Sequence, residues 1–442
     1  MSSSRVVLSP WGWSWIAGGA GGLLIGLLTL NLLLLVVPTA AFVFVAAELI
    51  AFDRATRDFG TGWFRWQRFE NSSQVPIDGL GSMAIDLELV VSRAFYAEIF
   101  DPQPDSFDIV GGSPKLRTWW PRAGSLRLAY LFRPRERGEF RLGPTIIVAH
   151  QPLGLASRVA ELENRWAVLV TPSLTVEEAQ ATFASAPRGP GESFWRRSGP
   201  GTEFRALHEY QPMDDARRIA WRRSATEKVY VVEHEEEVHP DLLVIVDCGR
   251  DMRLGRPGSE SLELSIDGAT VLVGAALARS DRVGLLVFSN VVEGHLPVRG
   301  NPETGPEFTE VLARIHLSPN PFRLDSALRA AAERLSVPTT IVLFSNLADL
   351  PNGAEASIAT LRDPGHRLLV LSPDFAHLYP PHPDRLAGEA FALLREPARH
   401  EIDAHLNRVR DAGAPVAVYP ASEVRVAMVE AYGEILAGGD RR

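Results

Sequence analysis

The run Leu242-Leu-Val-Ile-Val-Asp247 decides the fold class of the C-terminal half of the chain. An uninterrupted apolar run that ends in an aspartate is typical of a central parallel strand, because both faces of such a strand are buried. Further apolar runs follow at 283–288, 340–344, 367–371 and 416–419. Helical patterns lie near 261–279, 305–316, 323–335, 387–411 and 423–436. The alternation of strands and helices predicts a doubly wound α/β domain over residues 241–438.

A charged stretch, Glu209-Tyr-Gln-Pro-Met-Asp-Asp-Ala-Arg-Arg-Ile-Ala-Trp221, precedes that domain. Pro212 predicts a turn after an extended segment at 203–210, and Asp214 is a suitable cap for a helix that follows. The stretch resembles the signature of a large prokaryotic family, domain of unknown function family 58. The residues that carry the resemblance are Glu209, Tyr210, Pro212, Asp214, Asp215, Arg217, Arg218 and Trp221. We expect residues 201–240 to connect two domains through ion pairs, with a binding surface as the alternative.

The α/β domain resembles a von Willebrand factor A-type domain, as the family resemblance implies. Such domains often hold a divalent cation with Asp-x-Ser-x-Ser after the first strand, a threonine from a second loop and an aspartate from a third. Here the first loop reads Asp247-Cys-Gly-Arg-Asp251, so that glycine and aspartate replace the two serines. The second loop has Phe322 and no threonine, and the third offers Ser345-Asn346.

These departures predict that the cation site is lost. A hard cation needs several oxygen ligands in a compact cage, whereas Gly249 and Phe322 each remove a hydroxyl and Arg250 adds a positive charge. We therefore expect no cofactor, and Mg²⁺ only at Asp247 and Asp251 if it binds at all. Otherwise these two aspartates cap the following turn or pair with arginine. Ligands of doubly wound sheets lie beyond the carboxyl ends of the strands, so the loops are also a candidate contact for a partner. The candidate positions are Asp247, Gly249, Asp251, Ser345 and Asn346.

The middle of the chain is rich in strand patterns. Alternating or apolar runs at 84–91, 126–132 and 145–148 are separated by turn residues, which predicts a small antiparallel β-sandwich over residues 75–172. The segment Gln151-Pro-Leu-Gly-Leu155 resembles another part of the same family. Residues 173–200 are rich in Ser, Gly, Pro and Arg toward their end and are predicted to form a linker or mobile loop.

The N-terminus carries a long apolar stretch. From Trp11 to Phe52 the only charged residue is Glu48, and the stretch is about twice as long as one membrane crossing requires. We expect residues 1–56 to form a transmembrane hairpin of two helices, about 13–30 and 33–51, with one long kinked helix as the alternative. The hairpin tip has no charge, whereas arginines flank its two ends: Arg5, Arg54, Arg57, Arg65 and Arg68.

The positive-inside rule therefore predicts a multi-pass protein of the cell membrane with its soluble domains on the cytoplasmic side. A single span would place them outside. Tryptophans near both ends of the hairpin suit an aromatic belt at one membrane face: Trp11, Trp13, Trp15, Trp63 and Trp66.

Composition and missing motifs narrow the function. The net charge of −9 does not favour a nucleic-acid partner. The only cysteine, Cys248, cannot form an internal disulfide and is expected to be buried and inert. The sequence contains no Gly-x-x-x-x-Gly-Lys phosphate loop and no Gly-x-Ser-x-Gly elbow. His400 and His405 are five residues apart, which does not suit a zinc helix, so we expect a solvated helix there.

The resemblance covers nearly the whole chain and implies a membrane-anchored protein that is not an enzyme. Genes for similar proteins often accompany a MoxR-type AAA+ ATPase, so the leading hypothesis is an adaptor or scaffold for such a machine. The alternatives are an envelope-associated hydrolase on a modified A-type scaffold, or a metal-dependent adhesion domain that faces outward.

Overall fold

The computed structural model describes residues 6–30, 32–71, 73–91, 95–120, 124–185, 196–199, 203–211, 219–221, 228–237, 241–256, 259–300, 304–362, 365–374 and 385–437. The chain divides into two compact units, Met1–Ser173 and Leu174–Arg442.

The first unit begins with two apolar helices, α1 (Pro10–Thr29) and α2 (Leu32–Ala55). Ser9 caps α1 by accepting a hydrogen bond from the Gly12 N–H at 2.9 Å, and Leu30 ends it in the left-handed conformation. Both helices are long and apolar enough to cross a membrane, which indicates a membrane location. A helix of the second unit, Ser261–Ala278, meets the same criteria, but most of its residues are buried in that unit's core.

The rest of the first unit is β-structure. Its strands are β1 (Val6–Leu8), β2 (Phe64–Glu70), β3 (Gln74–Pro76), β4 (Gly81–Leu89), β5 (Phe95–Phe100), β6 (Phe107–Gly112), β7 (Lys115–Trp120), β8 (Ser125–Pro134), β9 (Gly138–Leu142), β10 (Thr145–His150), β11 (Ala156–Leu162) and β12 (Trp166–Thr171). They form sheets of order β1-β11-β10-β5-β7, β2-β4-β8-β6 and β3-β12-β9. Buried residues of all three sheets share one hydrophobic core. Strands β1 and β2 lie before the predicted range 75–172, and the β3–β12 pair is parallel rather than antiparallel.

Trp63 corrects one expectation of the sequence analysis. The sequence predicts it in an aromatic belt, but it is 6% exposed and lies in the β core. Its ring packs edge-on against Phe59 and Phe95, with centroid distances of 5.2 and 6.1 Å. Aromatic rings packed edge to face gain stabilisation beyond the area they bury, so Trp63 contributes to the fold of the β unit.

A buried ion pair is the polar centre of the same unit. The Asp101 carboxylate is fully buried and accepts hydrogen bonds from Arg68 Nη2 at 2.5 and 2.6 Å, from Tyr130 Oη at 2.6 Å and from Thr145 Oγ1 at 2.9 Å. Burial and the Asp101 charge raise the pKa of Tyr130 well above its ordinary value. Arg68, which the sequence groups with the arginines that flank the membrane, therefore holds strands together instead of facing a membrane surface.

The second unit contains a small sheet and a large one. The small sheet has the order β13-β15-β14, formed by β13 (Arg196–Gly199), β14 (Glu203–Glu209) and β15 (Tyr230–Glu237). The strands of the large sheet are β16 (Asp241–Asp247), β19 (Arg282–Phe288), β20 (Val292–Arg299), β21 (Thr340–Phe344), β22 (Arg367–Pro373) and β23 (Val416–Tyr419); β17 (Gly255–Arg256) and β18 (Ser259–Glu260) form a short hairpin. The large sheet has the order β20-β19-β16-β21-β22-β23, and all its neighbouring pairs are parallel except β19–β20.

The helices of this unit are α3 (Val176–Ser185), α4 (Ser261–Ala278), α5 (Thr304–Arg314), α6 (Leu324–Ala332), α7 (Ala354–Arg362), α8 (Arg385–Asp411) and α9 (Val424–Ala437). The other strands of the large sheet and helices α4, α5, α6, α8 and α9 lie near the predicted positions, whereas β20 and α7 are not predicted. Helix α3 occupies part of the stretch predicted as a linker. It forms because Val176 and Ala179 bury against the second unit's core, where Gly274 of α4 allows Ala179 to approach closely.

Candidate functional site

Asp247 ends the central strand of the large sheet at the point where the strand order reverses. Counted along the chain, the strands of this sheet run 3-2-1-4-5-6, so the reversal lies between β16 and β21. Ligands of doubly wound sheets bind in the crevice outside this switch point. Ser345 follows β21 directly, so Asp247 and Ser345 stand at the two sides of that crevice.

Hydrogen bonds within the protein occupy both oxygens of the Asp247 carboxylate. Oδ1 accepts from the Gly249 N–H at 2.7 Å, and Oδ2 accepts from the Ser345 hydroxyl at 2.6 Å. The Ser345 hydroxyl also accepts from the Leu347 N–H at 3.0 Å. The bond from Ser345 joins the ends of β16 and β21, and because Asp247 is only 2% exposed, this link lies inside the protein.

Burial also controls the ionisation of Asp247 and of Cys248 beside it. Desolvation raises the pKa of Asp247 to about 7, and the nearby Asp251 charge adds to the increase, against the lowering effect of the Ser345 and Gly249 hydrogen bonds. Burial, followed by the charges of Asp247 and Glu293, raises the pKa of Cys248 to about 12. The Cys248 side chain is fully buried and protonated at neutral pH, so it is an inert thiol as the sequence predicts.

Asn346 connects the third loop to the first. Its Nδ2 donates to the Asp251 carbonyl at 2.9 Å and to Ser261 Oγ at 3.4 Å, and its Oδ1 accepts from the Ala348 N–H at 3.1 Å. Asp251 lies in a short 3₁₀ turn, Arg250–Arg253. The Asn346 side chain therefore links the third loop to the first by hydrogen bonds, which is a structural role.

The second loop fills the space that a serine would need in the first. Phe322 is 4% exposed and packs edge-on against Phe288, with ring centroids 6.3 Å apart. A Cβ atom on Gly249 would lie 2.6 Å from the Phe322 nitrogen and 3.0 Å from Asp247 Oδ1. The two positions are therefore in contact, and the backbone of residue 322 leaves no room for a side chain at position 249.

These residues do not fit a hard divalent cation. Both Asp247 oxygens accept from protein donors, and neither Gly249 nor Phe322 supplies an oxygen ligand from its side chain. Among the residues that the structure describes, no group of three or more His, Cys, Asp and Glu side chains could hold a metal. The hydrogen bond that Asp247 accepts from the Gly249 N–H is the one expected if Asp247 caps the following turn, which is the alternative role predicted for it.

Four of the five predicted contact positions at the carboxyl ends of the strands are buried, so a partner protein would reach other residues there. The side chains of Asp247, Ser345 and Asn346 are nearly inaccessible, and Gly249 is buried, so the partner contact predicted at this edge would have to involve exposed side chains beside them. The accessible charged groups beside them include two arginines and two aspartates. They are Arg250, Asp251, Arg323 and Asp325, with side-chain exposures of 58%, 33%, 46% and 33%. We call these four residues the edge charges.

Sequence reasoning missed His405. The sequence predicts a solvated helix there, but His405 Nδ1 donates to the Leu347 carbonyl at 2.9 Å from α8. The contact spans 58 residues of sequence and holds the loop that carries Ser345 and Asn346. Local sequence patterns cannot predict a contact between residues so far apart in sequence. The spacing of His400 and His405 shows only that they do not share a helix face.

The signature stretch is only partly within the described residues. Glu209 pairs with Lys228 Nζ at 3.0 Å, whereas Pro212, Asp214, Asp215, Arg217 and Arg218 and the helix predicted there lie outside the described residues. Backbone hydrogen bonds hold the two described ends at the start of β15: Tyr210 N donates to the carbonyl of Val229, the residue before that strand, and Ala220 N donates to the Tyr230 carbonyl, each at 2.8 Å. Tyr210 and Trp221 are 39% and 70% exposed. Exposed tyrosine and tryptophan are enriched at the centres of protein interfaces, which favours the binding-surface alternative for this stretch.

The segment Gln151–Leu155 joins the β unit to the helices. Gln151 Nε2 donates to Glu48 Oε2 at 3.1 Å, and Ser9 donates from its N–H to the Leu155 carbonyl at 3.0 Å and from its hydroxyl to the Gly154 carbonyl at 2.6 Å. The only charged residue between Trp11 and Phe52 is thus held by this turn. Nearby, Arg158 donates to Asp53 Oδ1 at 2.6 Å and to the Thr56 carbonyl, and it is 5% exposed. We call these contacts the helix joint.

Comparison with known proteins confirms the family resemblance. Residues 206–347 match the family described as Protein of unknown function DUF58. The matched region contains the visible ends of the signature stretch and all five candidate positions of the sheet edge. A search of curated proteins finds no significant match.

Several solved structures are similar to parts of the chain. BatB, a conserved hypothetical protein from Bacteroides thetaiotaomicron, is 18% identical, with a TM-score of 0.34, and the match covers 45% of this chain and 99% of BatB. An aerotolerance-related membrane protein from Bacteroides fragilis NCTC 9343 is also 18% identical, with a TM-score of 0.31 and coverage of 45% and 99%. The cupredoxin domain of amoB from Nitrosocaldus yellowstonii is 7% identical, with a TM-score of 0.18 and coverage of 24% and 86%. Likenesses at this level assign no activity to the chain.

Proposed function

We propose that the protein is a membrane-anchored, non-enzymatic adaptor or scaffold whose second unit binds a MoxR-type AAA+ ATPase on the cytoplasmic side of the membrane. Helices α1 and α2 provide the anchor, since both are long and apolar enough to cross a bilayer. Arg54 and Arg57 beside the end of α2, with Arg5 before α1, support the cytoplasmic placement. The choice of a MoxR-type AAA+ ATPase as the partner rests on the family resemblance, because genes for similar proteins often accompany the gene for such an ATPase.

The closed crevice at the switch point carries the non-enzymatic part of the proposal. In a doubly wound enzyme this crevice holds the substrate, but here Ser345 donates across it to Asp247 at 2.6 Å and Phe322 covers Gly249. A buried carboxylate with both oxygens hydrogen-bonded stabilises loops, and the Cys248 thiol beside it is also buried. The site therefore suits a rigid platform for a partner.

The proposed platform is a von Willebrand factor A-like domain. The strand order 3-2-1-4-5-6 and the helices that connect the parallel strands support this, as does the aspartate at the end of the first strand. The structure departs from a cation-binding A-type domain at Gly249 and Phe322. Partner binding would then use side chains of the protein in place of a bridging metal ion.

The edge charges are the proposed contact. Arg250 and Arg323 project from adjacent loops, linked by the hydrogen bond from the Arg250 N–H to the Asn320 carbonyl at 2.9 Å. Each arginine has an aspartate nearby at a distance too long for a strong ion pair, 3.7 Å to Asp251 and 3.9 Å to Asp325. The guanidinium groups of Arg250 and Arg323 are about half exposed and therefore keep donors available to a partner, and arginine is enriched where proteins bind one another.

Co-purification from the native host tests the proposal. The tagged full-length chain is crosslinked in its membrane, solubilised in mild detergent and purified beside an Arg250→Glu/Arg323→Glu variant. Arg314→Glu is the matched control, because Arg314 has a 49% exposed side chain on α5 of the same unit. We expect the wild type and the control to capture the ATPase equally. The double variant should capture about tenfold less, which corresponds to about 1.4 kcal/mol of binding free energy.

Two results would count against the proposal. Equal capture by all three proteins would remove the edge charges from the contact. A folded, membrane-inserted wild type that captures no AAA+ ATPase in repeated trials would remove the partner itself.

A further inference from the structure

The helix joint fixes one end of the sheet β1-β11-β10-β5-β7 at the ends of the two apolar helices. Strand β1 is followed by a single residue, Ser9, before α1 begins at Pro10. On the other side of the turn, Arg158 of β11 binds Asp53 and the Thr56 carbonyl at the C-terminal end of α2. The strand ends nearest this joint are therefore held at the level where both helices leave the proposed membrane.

One row of side chains crosses the sheet at this level. Direct cross-strand partners connect Val7 to Ser157, Ser157 to His150, His150 to Tyr96 and Tyr96 to Trp119. Partners in register place their side chains on the same face of a sheet. The row spans four strand spacings, or about 19 Å, from the strand beside α1 to the far edge of the sheet.

The row is exposed and amphipathic. Trp119 is 55% and Tyr96 39% exposed, and the Tyr96 ring lies 5.9 Å from the His150 ring. Leu153, at the tip of the turn whose neighbours Gly154 and Leu155 bind Ser9, is 49% exposed. Tryptophan and tyrosine concentrate at membrane–water interfaces, where the ring lies in an apolar layer and its polar atom reaches water.

The exposed aromatic side chains of α1 continue this surface. Trp11, Trp13 and Trp15 lie in its first turns and are about half exposed, with Trp11 and Trp15 packed edge-on 6.0 Å apart. They occupy the helix end to which the turn at Gly154 is bonded. The apolar surface thus continues at one level from the helix end onto the rim of the sheet.

We infer that this rim, formed by Leu153, His150, Tyr96 and Trp119, lies in the interfacial layer of the bilayer that α1 and α2 enter. The β unit would then rest on the lipid headgroups along the row, which limits its tilt relative to the membrane. Because this inference rests on the membrane anchoring of the proposed function, its test includes a separate position in the anchor.

Site-specific labelling of the full-length chain in lipid vesicles tests the rim. Cysteine variants Tyr96→Cys and Trp119→Cys are labelled with an environment-sensitive fluorophore, and quenching by lipids with a nitroxide at the headgroup is measured. Phe100→Cys is the matched control, since Phe100 shares strand β5 and the sheet face with Tyr96 and is 38% exposed. The wild type serves as the blank, because its only cysteine, Cys248, is buried.

The control position is four residues further along the strand, or about 14 Å from Tyr96. The polar layer on each side of the hydrocarbon core is only about 5–8 Å thick. We therefore expect a blue shift and quenching at positions 96 and 119, and neither effect above the blank at position 100. Equal signals at positions 96, 119 and 100 would overturn the inference.

A label at Leu28→Cys separates this inference from the anchoring itself. Leu28 lies in α1 and is 76% exposed, so lipids with a nitroxide on the acyl chain should quench its label. Quenching at 28 without quenching at 96 and 119 would refute only the rim contact and leave the row available to a protein partner. No quenching at 28 would refute the membrane anchoring and, with it, the rim contact.

Discussion

Replacing Asp247 with asparagine should remove a pH dependence from the stability of the second unit. In the folded protein the pKa of Asp247 is raised to about 7 by burial, from an ordinary value of 3.8. Asparagine has nearly the same shape, and its oxygen can still accept the Gly249 N–H, but it does not titrate. The difference between the two proteins therefore isolates the ionisation of this one carboxyl group.

The direction of this pH dependence follows from whether the folded or the unfolded chain holds the proton. Between about pH 4 and pH 7 the folded wild type keeps a proton on Asp247 that the unfolded chain has released, so this group stabilises the fold at low pH. The stabilisation decreases progressively from about pH 4 and reaches its final, lower level above about pH 7. With these two pKa values, linkage gives a loss of about 2–3 kcal/mol between pH 5 and pH 8. Asp247→Asn should lack this loss.

Hydrogen exchange in the full-length protein measures the effect. Peptides that cover β16 and β21 report the opening free energy of the strands that Asp247 and Ser345 join, and the wild type and Asp247→Asn are compared at each pH. Other titrating groups are common to both proteins and cancel in the difference. Parallel pH profiles for the two proteins would show that the buried carboxyl does not titrate as described.

Three further substitutions test other parts of the structure. Gly249→Ser should destabilise the second unit by about 1–3 kcal/mol, because its Cβ meets the Phe322 backbone; in thermal unfolding, Mg²⁺ should not restore the loss. Arg158→Met should lower the protection of residues 151–162 in hydrogen exchange by about 1–2 kcal/mol, a value reduced because its partner Asp53 is half exposed. Asp101→Asn should lower the free energy of unfolding of the β unit by about 3–5 kcal/mol, because the buried Arg68 loses its counter-charge.

Matched controls exist for each change. Gly433 lies in α9, and a Cβ atom added there would meet no neighbouring atom within 4 Å, so Gly433→Ser should leave the stability unchanged or slightly higher. Arg135 and Asp108 form an ion pair on the surface of the β unit, with side-chain exposures of 66% and 38%. Arg135→Met and Asp108→Asn should each cost less than about 1 kcal/mol. A test substitution that costs no more than its control would contradict the role assigned to that residue.

Most of the α/β architecture can be predicted from the sequence, because its central strands are buried on both faces and therefore consist of uninterrupted apolar runs. The apolar run at 242–246 is buried throughout β16, and the aspartate that follows it lies at the predicted sheet edge. Strand β20 escapes prediction because it is an edge strand that contains Gly294 and Pro297, which weaken the strand pattern. Helix α3 is hidden in a predicted linker, since its stability depends on contacts with α4, which is distant in sequence.

The candidate site shows a similar limit. The resemblance to A-type domains implies that Asp247, Ser345 and Asn346 lie in neighbouring loops and that hydroxyl ligands are missing. It cannot show that Phe322 packs over Gly249, because the two residues are far apart in sequence and meet only through the fold. The prediction that Trp63 lies in a membrane belt fails for the same reason. A tryptophan shortly after an apolar helix looks the same in the sequence whether its ring faces lipid or enters a protein core.

Photocrosslinking from position 250 in intact cells is the most direct test of partner binding through the sheet edge. A photoreactive residue replaces Arg250, and the same residue at Arg314 of α5 serves as the reference on the same unit. The proposed function predicts a crosslinked product with a MoxR-type AAA+ ATPase from position 250 and none from position 314. No ATPase product from position 250, or equal amounts from both positions, would contradict it.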